Sequence, residues 1–302
     1  MAKTFPVYAI HNIDNDSARR GLLISRFGPY VDRHYQQLHA AHRHSFYHLV
    51  LFTRGGGTHT IDFVTYPVER GQIYFMIPGM VHSWHFEGEV DGYIVHFNEE
   101  LFTSFLEDGG YLERFHFFAG NSEEGVCTLS DSALATVVGL FESMLEAGRA
   151  LKAEEGKWSG GRPNYEMELD MIRIRLLELF ITVERFDRRV KASNLPPQKL
   201  ALVRAFKQLI DKRFRELKLP KEYAELLHVT PNHLNAVCQD LVGKTAGDLI
   251  RDRVVLEAKR LLVNADLSIT QIAYELNFAD GSYFTKFFRK YAGVTPEEFR
   301  RG

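Results

Sequence analysis

Residues 268–300 read SITQIAYELNFADGSYFTKFFRKYAGVTPEEFR, and the order of polar, apolar and turn residues in this stretch sets the reading of the C-terminal third of the chain. Ser268-x-x-Gln271 has the spacing of a capping box, in which two side chains satisfy free N–H groups at a helix start. It opens ITQIAYEL, NFAD turns the chain, and GSYFTKFFRKYAG forms a second helix with Phe284, Phe287 and Phe288 on its core face. Thr295-Pro296-Glu297-Glu298 then supplies an N-cap, an N1 proline and an N3 glutamate.

The same grammar recurs upstream. Thr245-x-x-Asp248 opens a long helix to about residue 262. Before it, Pro220 suits N1 of KEYAELL, HVT makes a turn, and Thr230 caps a helix from 231 to about 241 that stops at Gly243. The pattern predicts two short helix-turn-helix units joined by one long helix. In such a unit the second helix lies in the major groove with its N-terminal residues at the base edges. That geometry exposes Asn232, His233, Asn235 and Ala236 in the first unit and Gly281, Ser282, Tyr283, Thr285 and Lys286 in the second. Asn can bridge adenine, Lys can donate to guanine, and an Ala or Thr methyl can meet the thymine methyl. Arg289 and Lys290 are placed for phosphate, which positions a protein without reading sequence.

Charge supports this division. The 302 residues carry a net −2, but residues 1–193 hold 19 Lys+Arg against 26 Asp+Glu, a net −7, whereas residues 194–302 hold 18 against 13, a net +5. A basic end on an acidic body is expected where one part meets a polyanion. No run approaches the roughly 20 apolar residues of a membrane span, and the first residues lack a signal-peptide pattern, so a cytoplasmic protein is the expectation. Cys127 and Cys238 make no C-x-x-C pair, which argues against a disulfide framework or a thiolate zinc site. No nucleophile elbow, P-loop or dinucleotide fingerprint points to an enzyme.

From 46 to 98 the chain reads as short strands between turn residues: SFYHLVLFT, the RGGG turn, THTIDF, GQIYFMIP and VDGYIVHF. This predicts a small antiparallel barrel or sandwich able to enclose one ligand. Phe46, Phe52, Phe63, Tyr74, Met76, Trp84 and Phe97 are candidates for its lining, and Arg26, Arg43 and Arg54 lie near the first strands, where they offer weak support for an effector carboxylate. Two helices follow, at about 130–147 and 166–189, separated by a polar loop at 150–163. In the second, Leu169, Ile172, Leu176, Leu179 and Val183 fall at heptad spacing, beside a second stripe of Ile174, Leu177 and Ile181. The expectation is that one stripe packs on its own domain and the other on a second copy of the chain, with the heptad seam taken as the dimerisation face and the choice between stripes open. The alternative is that both stripes are buried within one domain.

The C-terminal residues resemble the signature of the AraC/XylS family of bacterial transcription regulators. The match is carried by Ile272-Ala273, Phe278, Ser282-Tyr283-Phe284, Phe288-Arg289-Lys290, Gly293, Thr295-Pro296 and Phe299-Arg300, with Arg253 and AKRLL at 258–262 as the linker helix and HVTPNHLNAVCQDLVGKT as the first unit. Asn277 stands where the family carries Gly, and Asn is the next residue best able to take positive φ. HRHSFYHLVLFTRGGG and GQIYFMIPGMVHSW look like the family's cupin-type effector-binding barrel. The resemblance implies an α+β protein of two domains: a cupin-like barrel with a helical dimerisation segment at 1–190, a linker at 191–199, and an all-α double helix-turn-helix domain at 200–302. It also implies double-stranded DNA, a small-molecule effector and a homodimer as partners, with RNA polymerase a further candidate. Activation is the expected direction, with repression open.

His42-x-His44, His48 and Pro78-Gly79-Met80-Val81-His82 occupy positions resembling the two metal motifs of catalytic cupins, with His48 at the usual glutamate. Four neutral imidazoles suit zinc or another divalent first-row ion. That opens a second reading, a metal-dependent cupin enzyme or metal sensor fused to a DNA-binding tail. Regulators with this barrel commonly keep such residues without metal, however, and a strand histidine is more often hydrogen-bonded than ligating. The expectation is therefore no cofactor and no metal, with His42, His44, Phe46, His48, His82 and Trp84 contacting a small organic effector.

Overall fold

A computed structural model of the chain describes residues 6–13, 21–103, 105–106, 110–154, 163–186, 196–263 and 267–301. The chain divides into two compact units, residues 6–193 and 194–302. Residues 191–195 of the expected linker lie outside the described residues, and Pro197 already opens a helix.

Among the described residues of the first unit, ten strands form two five-stranded sheets. They are β1 (Val7–Tyr8), β2 (Leu22–Arg26), β3 (His42–His44), β4 (Tyr47–Arg54), β5 (Thr58–Ile61), β6 (Val64–Pro67), β7 (Gln72–Met76), β8 (Val81–His85), β9 (Asp91–Phe97) and β10 (Val126–Thr128). One sheet has the order β1-β3-β8-β5-β6 and the other β10-β7-β4-β9-β2. The RGGG stretch leads from β4 in the second sheet to β5 in the first, so it is a crossing between sheets rather than a hairpin turn. A Cβ on Gly57 would lie 2.0 Å from the His85 carbonyl oxygen, and one on Gly56 2.1 Å from that of Glu87, which is why no side chain fits there. THTIDF splits into β5 and a two-residue turn, Asp62-Phe63, with φ of 46° and 73° at its centre. Phe63 therefore sits at a hairpin tip, 40% exposed, and does not line the interior.

Side chains alternate along the central strands. Val50 and Phe52 of β4, Tyr74 and Met76 of β7, and Ile94 of β9 face inward together with Phe27, Tyr30, Met80 and Trp84. Leu49, Leu51, Ile73, Phe75, Tyr93, Val95 and Phe97 face the other way, so Phe97 too lies outside the expected lining. Two long helices, α2 (Asp131–Glu154) and α3 (Pro163–Phe186), cover that outer face, following the shorter α1 (Phe27–Leu38). Helix α2 extends into the stretch expected to be a loop, residues 155–162 lie outside the described residues, and so do 187–189 at the end of the second expected helix. Leu134, Val137, Phe141 and Met144 of α2 join Leu169, Ile172, Leu176, Leu179 and Val183 of α3 in one apolar core with the sheet.

This overturns the dimerisation role expected for Leu169, Ile172, Leu176, Leu179 and Val183. A wholly apolar sheet face must be covered, and the five-residue seam is spent on it within one chain. The exposed large apolar residues of α3 are Met167, Met171, Ile174, Ile181 and, at its end, Phe186, the isoleucines 47% and 45% exposed.

The second unit is built from α4 (Pro197–Arg213), α5 (Pro220–Leu226), α6 (Pro231–Val242), α7 (Ala246–Leu262), α8 (Ile269–Glu275), α9 (Gly281–Ala292) and α10 (Pro296–Arg301). Every anticipated N-cap is made: Thr230 accepts from His233 N–H, Thr245 from Asp248, Ser268 from Gln271 and Thr295 from Glu298. The two turns match. His228 and Asn277 take φ of 54° and 58°, and the following Val229 and Phe278 N–H groups donate back to the carbonyls of Ala224 and Ala273. Asn277 thus replaces glycine by tolerating the left-handed region. The core of this unit joins Phe206, Leu234, Val237, Ile250, Val254, Ile272, Phe284 and Phe288.

Leu176→Ala is expected to destabilise the first unit by about 2–5 kcal/mol, as for a buried leucine. Ile174→Ala should change stability by less than about 0.5 kcal/mol. Denaturant unfolding of the two variants measures the difference.

Candidate DNA-reading helices and a histidine-lined barrel

Helix α6 presents Asn232, His233 and Ala236 to solvent beyond its capped first turn. Asn235 does something else: its side-chain oxygen accepts the N–H of Ala246 at 3.0 Å, satisfying a free donor at the start of α7. Bidentate pairing with adenine needs that oxygen as an acceptor, so the expected base contact is corrected to a positioning role. On α9, Asp280 caps the helix by accepting from Tyr283 N–H at 2.7 Å, and Ser282, Tyr283, Lys286, Arg289 and Lys290 are exposed. Gly281 is half-buried, with a hypothetical Cβ 3.3 Å from Thr270 Oγ1, and Thr285 donates its hydroxyl to Gly281 O at 2.8 Å. The first contact sets α9 against α8 and the second lies within α9, and neither uses the exposed Lys286 or its exposed neighbours. Arg300 donates to the carbonyls of Leu262 and Leu267, which ties α10 to the chain before α8.

A polar scaffold lies behind these surfaces. Arg253 of α7 pairs with Asp211 and Glu257, and its guanidinium sits 4.1 Å from the centre of the Phe214 ring. Burial works against the Glu257 charge, yet Arg253 and Arg260 hold its carboxyl below the usual range. Lys218 donates to Phe214 O and to Leu276 O, so one ammonium links the end of α4 to the second turn; burial pushes it down to about 8.

The barrel interior carries six buried histidines: His42 and His44 on β3, His48 on β4, His59 on β5, His82 on β8 and His96 on β9. Register sets them together, since His42 is paired with His82 and His48 with His96 across neighbouring strands. Ring centres are 4.2 Å apart for His42 and His82, 4.8 Å for His42 and His44, 4.7 Å for His44 and His82, and 4.9 Å for His44 and His48. Phe46 stacks on His44, and Trp84 on His59. Burial pushes His44, His48, His59 and His82 well below the usual imidazole range, and His96 to about 3, so the cluster is neutral. His59 and His96 were not singled out from sequence; the signal was their place on strands at the same parity as inward-facing neighbours. Of the expected arginines, Arg26 pairs with Glu142 and Arg54 with Glu89.

Comparison with known proteins gives these two regions their identity. Residues 29–156 match the AraC-like ligand binding domain, and residues 223–302 match a helix-turn-helix domain. HTH-type transcriptional activator RhaR of Escherichia coli K12 is 22% identical over 273 residues, 89% of this chain and 90% of that protein. The chain belongs to the AraC family of transcriptional regulators. Among solved structures, ToxT from Vibrio cholerae is 13% identical, covers 93% of this chain and 97% of its own, with a TM-score of 0.40. The C-terminal domain of AraT from Geobacillus stearothermophilus is 31% identical over 36% of this chain and 88% of its own, with a TM-score of 0.32.

An AraC-family regulator combines an N-terminal ligand-binding domain with a C-terminal helix-turn-helix DNA-binding domain, and both are present here. Among the described residues no helix is long and apolar enough to cross a membrane. Asn235→Ala is expected to lower the stability of the C-terminal unit by about 0.5–2 kcal/mol, as for loss of a helix-start acceptor, and to leave base preference unchanged. Lys286→Ala should do the reverse, costing about 1–3 kcal/mol of discrimination at one operator position with stability held within about 0.5 kcal/mol. Thermal denaturation and competition binding on variant operators separate the two.

Proposed function

We propose that this AraC-family regulator acts as a transcriptional activator in the cytoplasm, with no catalytic step of its own. It binds a small organic effector within the barrel and reads two successive major-groove segments with α6 and α9. The observation that carries the reading is the matched pair of units, each offering exposed polar residues at the start of its second helix: Asn232 and His233 on one, Ser282, Tyr283 and Lys286 on the other. The similarity to a transcriptional activator supports the direction of control, and RNA polymerase is the further partner that an activator of this kind would engage. Phe46, Trp84, His42, His44, His48 and His82 supply the aromatic and polar groups that such a pocket requires.

A homodimer completes the reading, through the outward stripe of α3. Met167, Met171, Ile174 and Ile181 recur at heptad spacing on an exposed face, which suits a helix-to-helix contact. An effector alters regulation only if it prefers one arrangement of the dimer over another.

The full chain should bind operator DNA with a log–log salt slope near −0.9 for each phosphate neutralised. His233→Ala should weaken one half of the site and Lys286→Ala the other, about 10 base pairs away. Binding without salt dependence would count against the assignment. Ile174→Asp combined with Ile181→Asp should give folded monomers in sedimentation, with reduced affinity for two-site DNA; an intact dimer would move the interface elsewhere.

A further inference from the structure

We infer that His42, His44 and His82 form a binding site for one divalent transition-metal ion of the zinc class inside the barrel. The inference deepens the effector reading and rests on it only for location, because the ion would stand among the imidazoles assigned to the pocket.

Strand β3 places His42 and His44 two residues apart on one face, and β8 brings His82 directly opposite His42. The potential ligand nitrogens of the three residues all lie within 4.8 Å of one another. Around an ion with bonds of about 2.0–2.1 Å, tetrahedral nitrogens stand about 3.3 Å apart, so the rings need to close by up to about 1.5 Å. The Nε2 atoms of all three are buried and have no hydrogen-bond partner among the described residues. The strand histidines His42 and His82 find a partner for Nδ1 only, which leaves the Nε2 of each, like that of His44, without one among the described residues.

The other ring nitrogens explain how the donors are aimed. His42 Nδ1–H donates to Ala40 O at 2.8 Å, which fixes the tautomer and leaves the Nε2 lone pair free. His82 Nδ1 shares a hydrogen bond of 3.0 Å with His59 Nε2; donation from His82 frees its Nε2 in the same way. A backbone carbonyl and a second imidazole thus hold two ligands from behind, as outer partners do at metal centres. His48 adds a further donor, its ring 4.9 Å from His44 and 5.2 Å from His82, with both nitrogens unpaired among the described residues. A set of neutral imidazoles without carboxylates selects zinc, cobalt, nickel or copper over calcium and magnesium.

The test uses the full chain, stripped with a chelator and titrated with Co2+ alone. Visible ligand-field absorption should grow to saturation at one ion per chain and disappear when Zn2+ displaces the cobalt. His44→Gln and His82→Gln should each weaken Co2+ binding by about a hundredfold or more, and His59→Ala by roughly 10- to 100-fold, as expected for an outer partner. His85→Gln, at an exposed position on β8, should leave it unchanged. Folded wild-type protein with no saturable absorption overturns the inference, as does binding retained by both glutamine variants. If those variants fail to fold by circular dichroism, X-ray absorption on the zinc-loaded wild type decides. A nitrogen shell of imidazoles at about 2.0 Å supports the site, whereas a shell dominated by oxygen or sulfur overturns it. Thermal stabilisation of the metal-free chain by an organic metabolite, or its retained DNA binding, keeps the regulatory reading intact when the metal reading fails.

Discussion

Strands β4, β7 and β9 are covered on both faces, and most of the N-terminal unit follows from that double cover. Residues of one parity meet α2 and α3, and residues of the other meet the barrel interior. A shift of one residue along β4 would send Leu49 and Leu51 inward and His48 toward the helices, so the register is fixed by apolar demand on one side alone. The outer face has no polar residue among Leu49, Leu51, Ile73, Phe75, Val95 and Phe97, which is why two helices of 24 residues each are committed to it. The inner face is then free to carry imidazoles, because the stability of the sheet does not depend on them.

The C-terminal unit solves a different problem. Two similar reading units must keep a fixed spacing, and α7 supplies it by sharing a core with both. Small polar contacts set the angles: Asn235 ties α6 to the start of α7, Lys218 ties the chain before α5 to the second turn, and Arg300 anchors α10. None of these touches the exposed reading surface. Their loss removes a tie between elements rather than a group that meets a base, so it costs stability of the unit rather than base preference.

The sequence made the C-terminal unit legible because its signals are local. A capping box, an N1 proline or an Asn in a tight turn acts within four residues, and Ser268, Thr295 and Asn277 each do what their neighbours require. Asn235 was misread because its partner, Ala246, lies eleven residues on, and position on a recognition helix outweighed a contact that periodicity does not encode. The heptad seam of α3 was misread for a related reason. Spacing shows that Leu169, Ile172, Leu176, Leu179 and Val183 share a face, but the apolar sheet surface that claims this face is assembled mainly from β4, β7 and β9, more than 70 residues earlier. His59 and His96 escaped notice because a single histidine on a strand carries no motif. Only the pairing of distant strands, β5 with β8 and β4 with β9, sets them beside His82 and His48.

The energetics of the barrel interior separate its histidines from ordinary core. An unsatisfied buried polar group costs about 1–3 kcal/mol, and replacing it by an apolar group of similar shape is close to neutral or stabilising. Val50, Phe52 and Met76 show that apolar residues fit the same lining, in the same strands, a few ångströms from His48. A cluster with nitrogens unpaired among the described residues on His42, His44, His48, His82 and His96 is therefore a local departure from what stability alone would select. The DNA-reading end shows the opposite pattern, with its helix starts capped and its basic scaffold paired. Fold stability is concentrated where geometry must not change, and unmet bonding capacity where something has to arrive. A ligand that fills that capacity lowers the free energy of the arrangement it binds, which is the differential interaction a regulatory switch requires.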